Sequence, residues 1–268
     1  MSEAEGRRIG EPLPSAASCK DLLRKSTGGD RQALLFHMQA DPRTSVRAIA
    51  LAELRRDAAD AAEDLRQTSL MTDQLRLHAD GLRVIAGVDE VGRGALAGPL
   101  TVAAVVLSAE CRIRGLDDSK RLSPARRGSI AQAIREVAIG VSVIHIPAEE
   151  IDLVGIGNAV RLGMGRAVAG LPAAVDHVLV DGNDARIGYP ACAVVRGDSK
   201  CACIAAASVV AKVERDALMV EHGRSHPEYG FGVNKGYGTA EHIEAIMSLG
   251  VTDLHRRSFS PCGDRPLF

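Results

Sequence analysis

The chain has 268 residues, 46% of them hydrophobic, enough to bury one large core or two smaller ones. A net charge of −1 and a pI of about 6.7 exclude a global basic field, so any nucleic-acid binding must come from local clusters of Lys and Arg. Aromatic residues make up 3% with no Trp, which argues against a stacking platform of the single-strand-binding kind.

Residues 1–18 are polar, rich in Gly, Pro and Ser, and read as a disordered start. No apolar signal region opens the chain and no run approaches membrane-spanning length, so a soluble, cytoplasmic protein without membrane contact is expected. From Cys19 to His78 the chain is dense in Ala, Leu, Arg, Asp and Glu, and SVRAIALAELRRDAADAAEDLRQ (45–67) has helical spacing. Asp41-Pro42 fits a helix start. Residues 1–80 therefore read as an N-terminal helical extension of one or two helices, and 81–268 as the main domain.

After residue 80, short β-type runs alternate with helical ones. Strands are predicted at 84–89, 101–107, 140–146 and 177–181, and helices at 123–138, 157–170, 203–222 and 239–249. The fold class is α/β, and the closeness of the first two strands implies a hairpin and hence a mixed sheet. None of the six cysteines forms a CxxC pair. Cys201 and Cys203 lie two apart in a helical-looking stretch, which puts their thiols on different faces and argues against a shared metal. Reduced, buried thiols are expected.

The most informative stretch is VIAGVDEVGRGALAGPL (84–100). A strand-like run ends in two adjacent carboxylates, Asp89 and Glu90, followed by the turn Gly92-Arg93-Gly94. Acidic side chains at a strand end, beside exposed backbone N–H groups and one cation, suit a divalent metal together with phosphate. Asp181 ends a second apolar run in VLVDGND, and Asp198 follows a third in VVRGDSK. Strand ends can gather such acids at one sheet edge, where two Mg²⁺ ions about 4 Å apart clamp the attacking and leaving oxygens of a phosphodiester. Asp216 competes for the fourth place. A helix from about residue 203 would hold it roughly 20 Å from Asp198, so both cannot reach one metal pair. Asp198, beside Lys200 and near that helix's N-terminus, is preferred; Asp216 is expected in a salt bridge or hydrogen bond. Ser119 and Lys120, in LDDSK, form a candidate phosphate clamp. Tyr237, in the loop GFGVNKGYGT, can stack on a sugar or base, and His255-Arg256-Arg257 reads as a solvated basic cluster.

These motifs resemble bacterial ribonuclease HII. The matching elements are VIAGVDEVGRG (84–94), AGP (97–99), LDDSKRLS (116–123), VLVDG (178–182), GDSK (197–200), IAAASVVAKVERD (204–216), HPEYGF (226–231), KGYGT (235–239) and HRRSF (255–259). They run in order with matching spacing over about 82–261. Residues 19–80, with DPRTSV (41–46), resemble the extension some Gram-positive members carry. The resemblance implies a ribonuclease H-like mixed central sheet flanked by helices. It also implies endonucleolytic cleavage of RNA in RNA/DNA hybrids, and 5′ to single ribonucleotides embedded in duplex DNA, leaving 3′-hydroxyl and 5′-phosphate ends. By position it makes Asp89, Glu90, Asp181 and Asp198 the metal-binding carboxylates for Mg²⁺ or Mn²⁺. Gly92, Arg93 and Gly94 become the readers of the ribose 2′-hydroxyl, and Tyr237 the residue stacking on the deoxyribose at the RNA–DNA junction. Ser119, Lys120 and Lys200 remain substrate-binding candidates. A monomer with no protein partner is expected.

Two other classes are weighed. GRGALAG (92–98) can be read as the phosphate loop of a nucleotide-cofactor enzyme, but its GxGxxxG spacing is weak and two acids stand directly before it. A non-catalytic nucleic-acid binder on the same fold finds no support, because all four acids are present.

Overall fold

The computed structural model describes residues 12–263. By compactness the chain divides between Arg66 and Gln67, inside one long helix. The N-terminal unit holds α1 (Ala16–Lys25), α2 (Gly28–Ala40) and the greater part of α3 (Thr44–Leu70). Ser15 caps α1 by accepting the Ser18 N–H at 3.2 Å. The unit has its own small core of Cys19, Leu23, Leu35, Met38, Val46 and Ala50. Arg31 ties α2 to α3 by donating to Glu53 and Asp57. With α4 (Thr72–Ala79), four helices precede the first strand where the sequence suggested one or two. The loops between them, Ser26-Thr27 and 41–43, are only two and three residues long, so the Ala- and Leu-rich composition runs almost unbroken across the helices they separate. Residues 1–11, most of the predicted disordered start, lie outside the described residues.

The second unit is built on a five-stranded mixed sheet of order β3-β2-β1-β4-β5. Its strands are β1 (Ile85–Val91), β2 (Leu100–Val106), β3 (Gly140–Ile146), β4 (His177–Asp181) and β5 (Ala191–Val194). β1, β2 and β3 pair antiparallel, whereas β1 with β4, and β4 with β5, run parallel. The four predicted strands are present within two residues of the expected bounds; β5 is the one without a predicted counterpart, a four-residue edge strand.

β2 is buried on both faces, which explains its unbroken apolar composition. Ala103 and Val105 face α5 (Pro124–Val137) and α8 (Ala202–Ser225), while Val102, Ala104 and Val106 face α6 (Ala148–Val154) and α7 (Ile156–Ala169). α8 crosses β1 so closely that a Cβ on Gly87 would lie 2.3 Å from the Cys203 carbonyl carbon. The one-turn α9 (Phe231–Asn234) and α10 (Ala240–Leu249) complete the unit around Met219, Tyr229, Phe231 and Ile246. Among the described residues no helix is long and apolar enough to cross a membrane.

Two expectations are corrected. Cys201 is the extended N-cap of α8 (φ −126°, ψ 126°) and not a helical residue, so its sulfur lies 3.4 Å from that of Cys203 instead of on another face. Nor is the His255-Arg256-Arg257 cluster solvated as a whole: His255 and Arg256 are buried and only Arg257 is exposed.

Candidate active site

The alternation of a strand decides where the first two acids point. On β1, Ile85 and Gly87 face α8, so Asp89 does too; Ala86 and Val88 face α7, and Glu90 follows them. The parallel register Val88↔Val180 sets Asp181, at the end of β4, next to Asp89. β5 runs alongside β4, with Val194 opposite Asp181. The chain then turns at Arg196, in the left-handed region at φ 56°, and enters a single 3₁₀ turn at Gly197–Ser199. That turn brings Asp198 in, and the Asp181 carboxylate accepts the backbone N–H of Gly197 at 2.7 Å and of Asp198 at 3.4 Å. Three separate strand ends thus bring all four predicted acids to one edge of the sheet.

The electrostatics follow from that convergence. Burial, then Glu90 and Asp181, push the Asp89 carboxyl well above its ordinary range. Burial and Asp181 raise Glu90 against the pull of Arg93, and burial with Asp198 raises Asp181. Like charges held together in a desolvated place resist ionisation unless a cation is supplied. Two cations are near: Lys120 Nζ lies 3.2 Å from Asp198, and Arg93 lies 3.6 Å from Glu90. Both side chains are mostly exposed, which leaves them free to turn to another anion. A cleft of about 290 Å³ opens beside Glu90, Arg93 and Asp181. Asp184 also lines it, but Arg186 and Arg161 grip its carboxylate at 2.8 and 3.1 Å and hold it well below the usual range. It is a fifth acid already neutralised by protein cations.

The donor set fits a hard divalent cation, being carboxylate oxygens without histidine or thiolate. Among the described residues, no three such side chains close on a point tightly enough to hold an ion by themselves. Mg²⁺ has that same habit: it takes one or two carboxylates and completes its shell with water and substrate phosphate.

The remaining predicted residues separate into two groups. Gly92, Arg93 and Gly94 form the turn after β1, Lys120 reaches the acids, and Tyr237 is half-buried with its ring 5.4 Å from the Arg215 guanidinium carbon. Lys200 is exposed and donates from Nζ to the Val195 carbonyl at 2.8 Å. Ser119 departs from expectation. Its hydroxyl is buried, 2.9 Å from that of Ser208, so it anchors its loop instead of facing a phosphate. Ser208 in turn is a polar neighbour that opposes the upward shift of the Asp89 carboxyl, so this loop borders the acids.

Asp216 makes the expected salt bridges, to Lys212 at 2.7 Å and Arg127 at 3.2 Å. Arg127 also donates to the Ser119 and Leu122 carbonyls, so Asp216 supports the Lys120 loop from outside the acid cluster. The nucleotide-cofactor reading fails on topology: residues 92–99 lead into an antiparallel neighbour, β2, and no helix begins there to receive a pyrophosphate. Sequence reasoning missed Ser208, Arg127 and Arg215, and it read Arg256 as solvated. The signal of the first three was faint, since a polar residue in an apolar helix face can as well be a solvated one.

The comparisons agree with this geometry. Residues 86–262 match the family described as Ribonuclease HII. The Ribonuclease HII of Bacillus velezensis is 44% identical over 248 residues, covering 91% of this chain and 95% of its own. That of Geobacillus thermodenitrificans is 43% identical over 224 residues, covering 84% and 86%. Residues 67–268 number only 202 of 268, so a 91% match extends well into the N-terminal unit. Among solved structures, the ribonuclease H2 of Pyrococcus horikoshii aligns with a TM-score of 0.60 at 25% identity, over 67% of this chain and 95% of that one. With the mixed sheet, the order of the motifs and these identities in agreement, the chain belongs to the bacterial ribonuclease HII family, metal-dependent nucleases of the ribonuclease H class that act on RNA paired with DNA.

Proposed function

We propose that this protein cuts the RNA strand of RNA/DNA hybrids and also cuts 5′ to single ribonucleotides embedded in duplex DNA, using two divalent ions and leaving 3′-hydroxyl and 5′-phosphate ends. The observation that carries the reading is the meeting of Asp89, Glu90, Asp181 and Asp198 at one sheet edge, three of them held reluctant to ionise. Divalent ions there, Mg²⁺ or Mn²⁺, supply the positive charge that lets the acids ionise together, activates water and offsets charge building on the phosphate.

The protein groups divide the remaining work. Asp89 and Asp181 lie toward α8 and Glu90 toward α7, so the acids straddle the sheet edge and present oxygens on both sides of it. Lys120, free to swing from Asp198, meets a substrate phosphate, as does the exposed Lys200. The turn reads the 2′-hydroxyl, the atom that distinguishes RNA from DNA. Its two glycines have separate reasons. Gly92 is required by the fold, because its φ is +89° and a Cβ would lie 2.2 Å from Arg215 Nε. Gly94 has neither a positive φ nor any atom within 4 Å of an added Cβ. Nothing in the protein demands a glycine at Gly94; a sugar approaching the backbone does. Tyr237, seated over Arg215, offers a ring face to the neighbouring deoxyribose.

The test is cleavage of a duplex containing one ribonucleotide with Mg²⁺, Mn²⁺ or EDTA, beside Asp89→Asn. A metal-dependent cut 5′ to the ribonucleotide, lost in the variant, is expected. A cut that persists in Asp89→Asn overturns the carboxylate assignment, and none with either metal overturns the substrate assignment.

A further inference from the structure

Arg215 and Arg256 are both fully buried, and neither pairs with a carboxylate among the described residues. Burying a cation without an anion is costly, and a well-packed apolar side chain would serve folding better. What they meet instead is backbone. Arg215, on α8, donates to the carbonyls of Pro99 (2.8 Å), Ala97 (3.1 Å) and Lys235 (2.8 Å). Arg256 donates to Gly98 through Nε (3.1 Å) and Nη2 (2.9 Å), and to the Arg93 carbonyl through Nη1 (3.0 Å). A guanidinium is a rigid planar fork with donors on two edges, so each arginine fixes the relative position of the carbonyls it holds.

The carbonyls belong to two segments without regular structure: residues 93–99, which continue the glycine-arginine-glycine turn, and residue 235, which opens the Tyr237 loop. Direct backbone bonds add to the clamp. Gly236 O accepts the N–H groups of Leu96 (2.8 Å) and Ala97 (3.1 Å), and the Arg256 N–H donates to Leu96 O at 2.8 Å. The approach is as close as chemistry allows, since a Cβ on Gly236 would lie 2.2 Å from the Ala97 oxygen. Arg215 reaches both segments and also lies under the Tyr237 ring, at 5.4 Å from its centroid. Arg256 holds the carbonyl of the arginine inside the turn itself.

We propose that Arg215, which ties the 2′-hydroxyl-reading turn to the Tyr237 loop, and Arg256, which fixes the turn's side of that junction, are positioning residues that hold the two at one fixed separation and so set how strongly the enzyme prefers a ribonucleotide followed by a deoxyribonucleotide. The inference rests on the substrate reading above. A uniform RNA strand presents a ribose at both places, and engaging it needs the turn alone. A single ribonucleotide in DNA must satisfy the turn and the tyrosine together, over a distance of one nucleotide step. Loosening the clamp therefore weakens recognition of the junction more than recognition of the hybrid.

The experiment compares kcat/KM on a duplex with one embedded ribonucleotide and on a uniform RNA/DNA hybrid, for the full chain and for Arg215→Lys and Arg256→Lys. Lysine keeps the charge and loses the fork. The expected result is a junction-to-hybrid ratio at least tenfold lower in each variant that shows a cooperative thermal transition. In a Tyr237→Ala background, Arg215→Lys should lower the ratio little further, because the clamp then has no tyrosine to position. Gly236→Ala, which pushes the two segments apart with both arginines intact, serves as an independent variant and should lower the ratio likewise. Equal losses on both substrates, or an unchanged ratio, overturn the proposal. An unmodified enzyme that cuts neither substrate overturns the functional reading beneath it.

Discussion

Asp198 and Asp216 are both near the metal-seeking acids in sequence, and exchanging each for asparagine separates a reacting site from its scaffold. Asp216 sits between Lys212 and Arg127, with side chains 22% exposed for Asp216 and 11% for Arg127. Hydrogen bonds to charged groups contribute about 1.5–3 kcal/mol when buried, and partial exposure discounts that to about 1–2 kcal/mol. For a chain of this size each kcal/mol moves the midpoint about 2–4 °C, so Asp216→Asn should unfold about 2–8 °C lower. The Lys120 loop loses part of its support through Arg127, yet the four acids are untouched, so cleavage should fall less than tenfold. Asp198→Asn is the opposite case. It removes a charge that repels Asp181, so thermal stability should hold or rise. Divalent-ion stabilisation of a phosphoryl transfer supplies several kcal/mol, so its disruption should cost cleavage more than about 100-fold. The assay is calorimetry in EDTA beside single-turnover cleavage in Mg²⁺. If Asp216→Asn loses cleavage as deeply as Asp198→Asn at an unchanged midpoint, the assignment of the fourth carboxylate is wrong.

Three further outcomes follow from the same geometry. Asp89→Asn should raise the unfolding midpoint in EDTA at pH 8, and the gain should shrink toward pH 5. Because the folded carboxyl titrates above the unfolded one, its destabilising effect builds as pH rises from the unfolded value to the folded one, is complete above the folded value, and vanishes only below the unfolded one; a gain that grows on acidification contradicts the raised value. Gly92→Ala, forcing a Cβ against Arg215 at φ +89°, should cost about 2–4 kcal/mol in denaturant melts, whereas Gly94→Ala should leave stability within about 0.5 kcal/mol and raise KM. Equal destabilisation by both would remove the argument that Gly94 is kept for the substrate. Arg196→Gly should relieve a left-handed residue and stabilise by about 0.5–1 kcal/mol after the added unfolded-state entropy, with a lower kcat as the Asp198 turn loosens; a higher kcat counts against strain as a positioning device.

Much of this was legible in the sequence because it is local. A short run such as TVAAVVL, with four β-branched residues in seven, reads as a strand, and acids that end apolar runs arrive together once those strands are neighbours. Asp216 was separable from Asp198 by the length of a helix alone, and its salt bridges agree. What escaped depends on contacts between distant segments. Whether Ser119 faces a phosphate or Ser208 is decided across 89 residues. Arg256 reads as one of two solvated arginines until the 93–98 carbonyls are folded onto it. Cys201 looked helical because Cys203 is, and only the start of α8 one residue later turns the two sulfurs toward each other.

Backbone strain has a meaningful distribution here. Among the described residues, Arg196 and Lys235 are the two that are not glycine yet adopt the left-handed region, at φ 56° and 55°. Each costs about 1–2 kcal/mol relative to an ordinary conformation. Each stands two residues before a group assigned to the reaction, Asp198 in one case and Tyr237 in the other. Both are also tied down on the spot: the Arg196 carbonyl accepts from the Ser199 N–H and hydroxyl, and the Lys235 carbonyl accepts from Arg215. Strain that persists only where surrounding bonds over-determine it marks a conformation kept for use rather than for stability. Asp198 and Tyr237 then share one construction principle, which Asp89, Glu90 and Asp181 on their regular strands do not need. In each, a short irregular segment is bent against its own preference and fastened by nearby hydrogen bonds, so that the group two residues on is held in place.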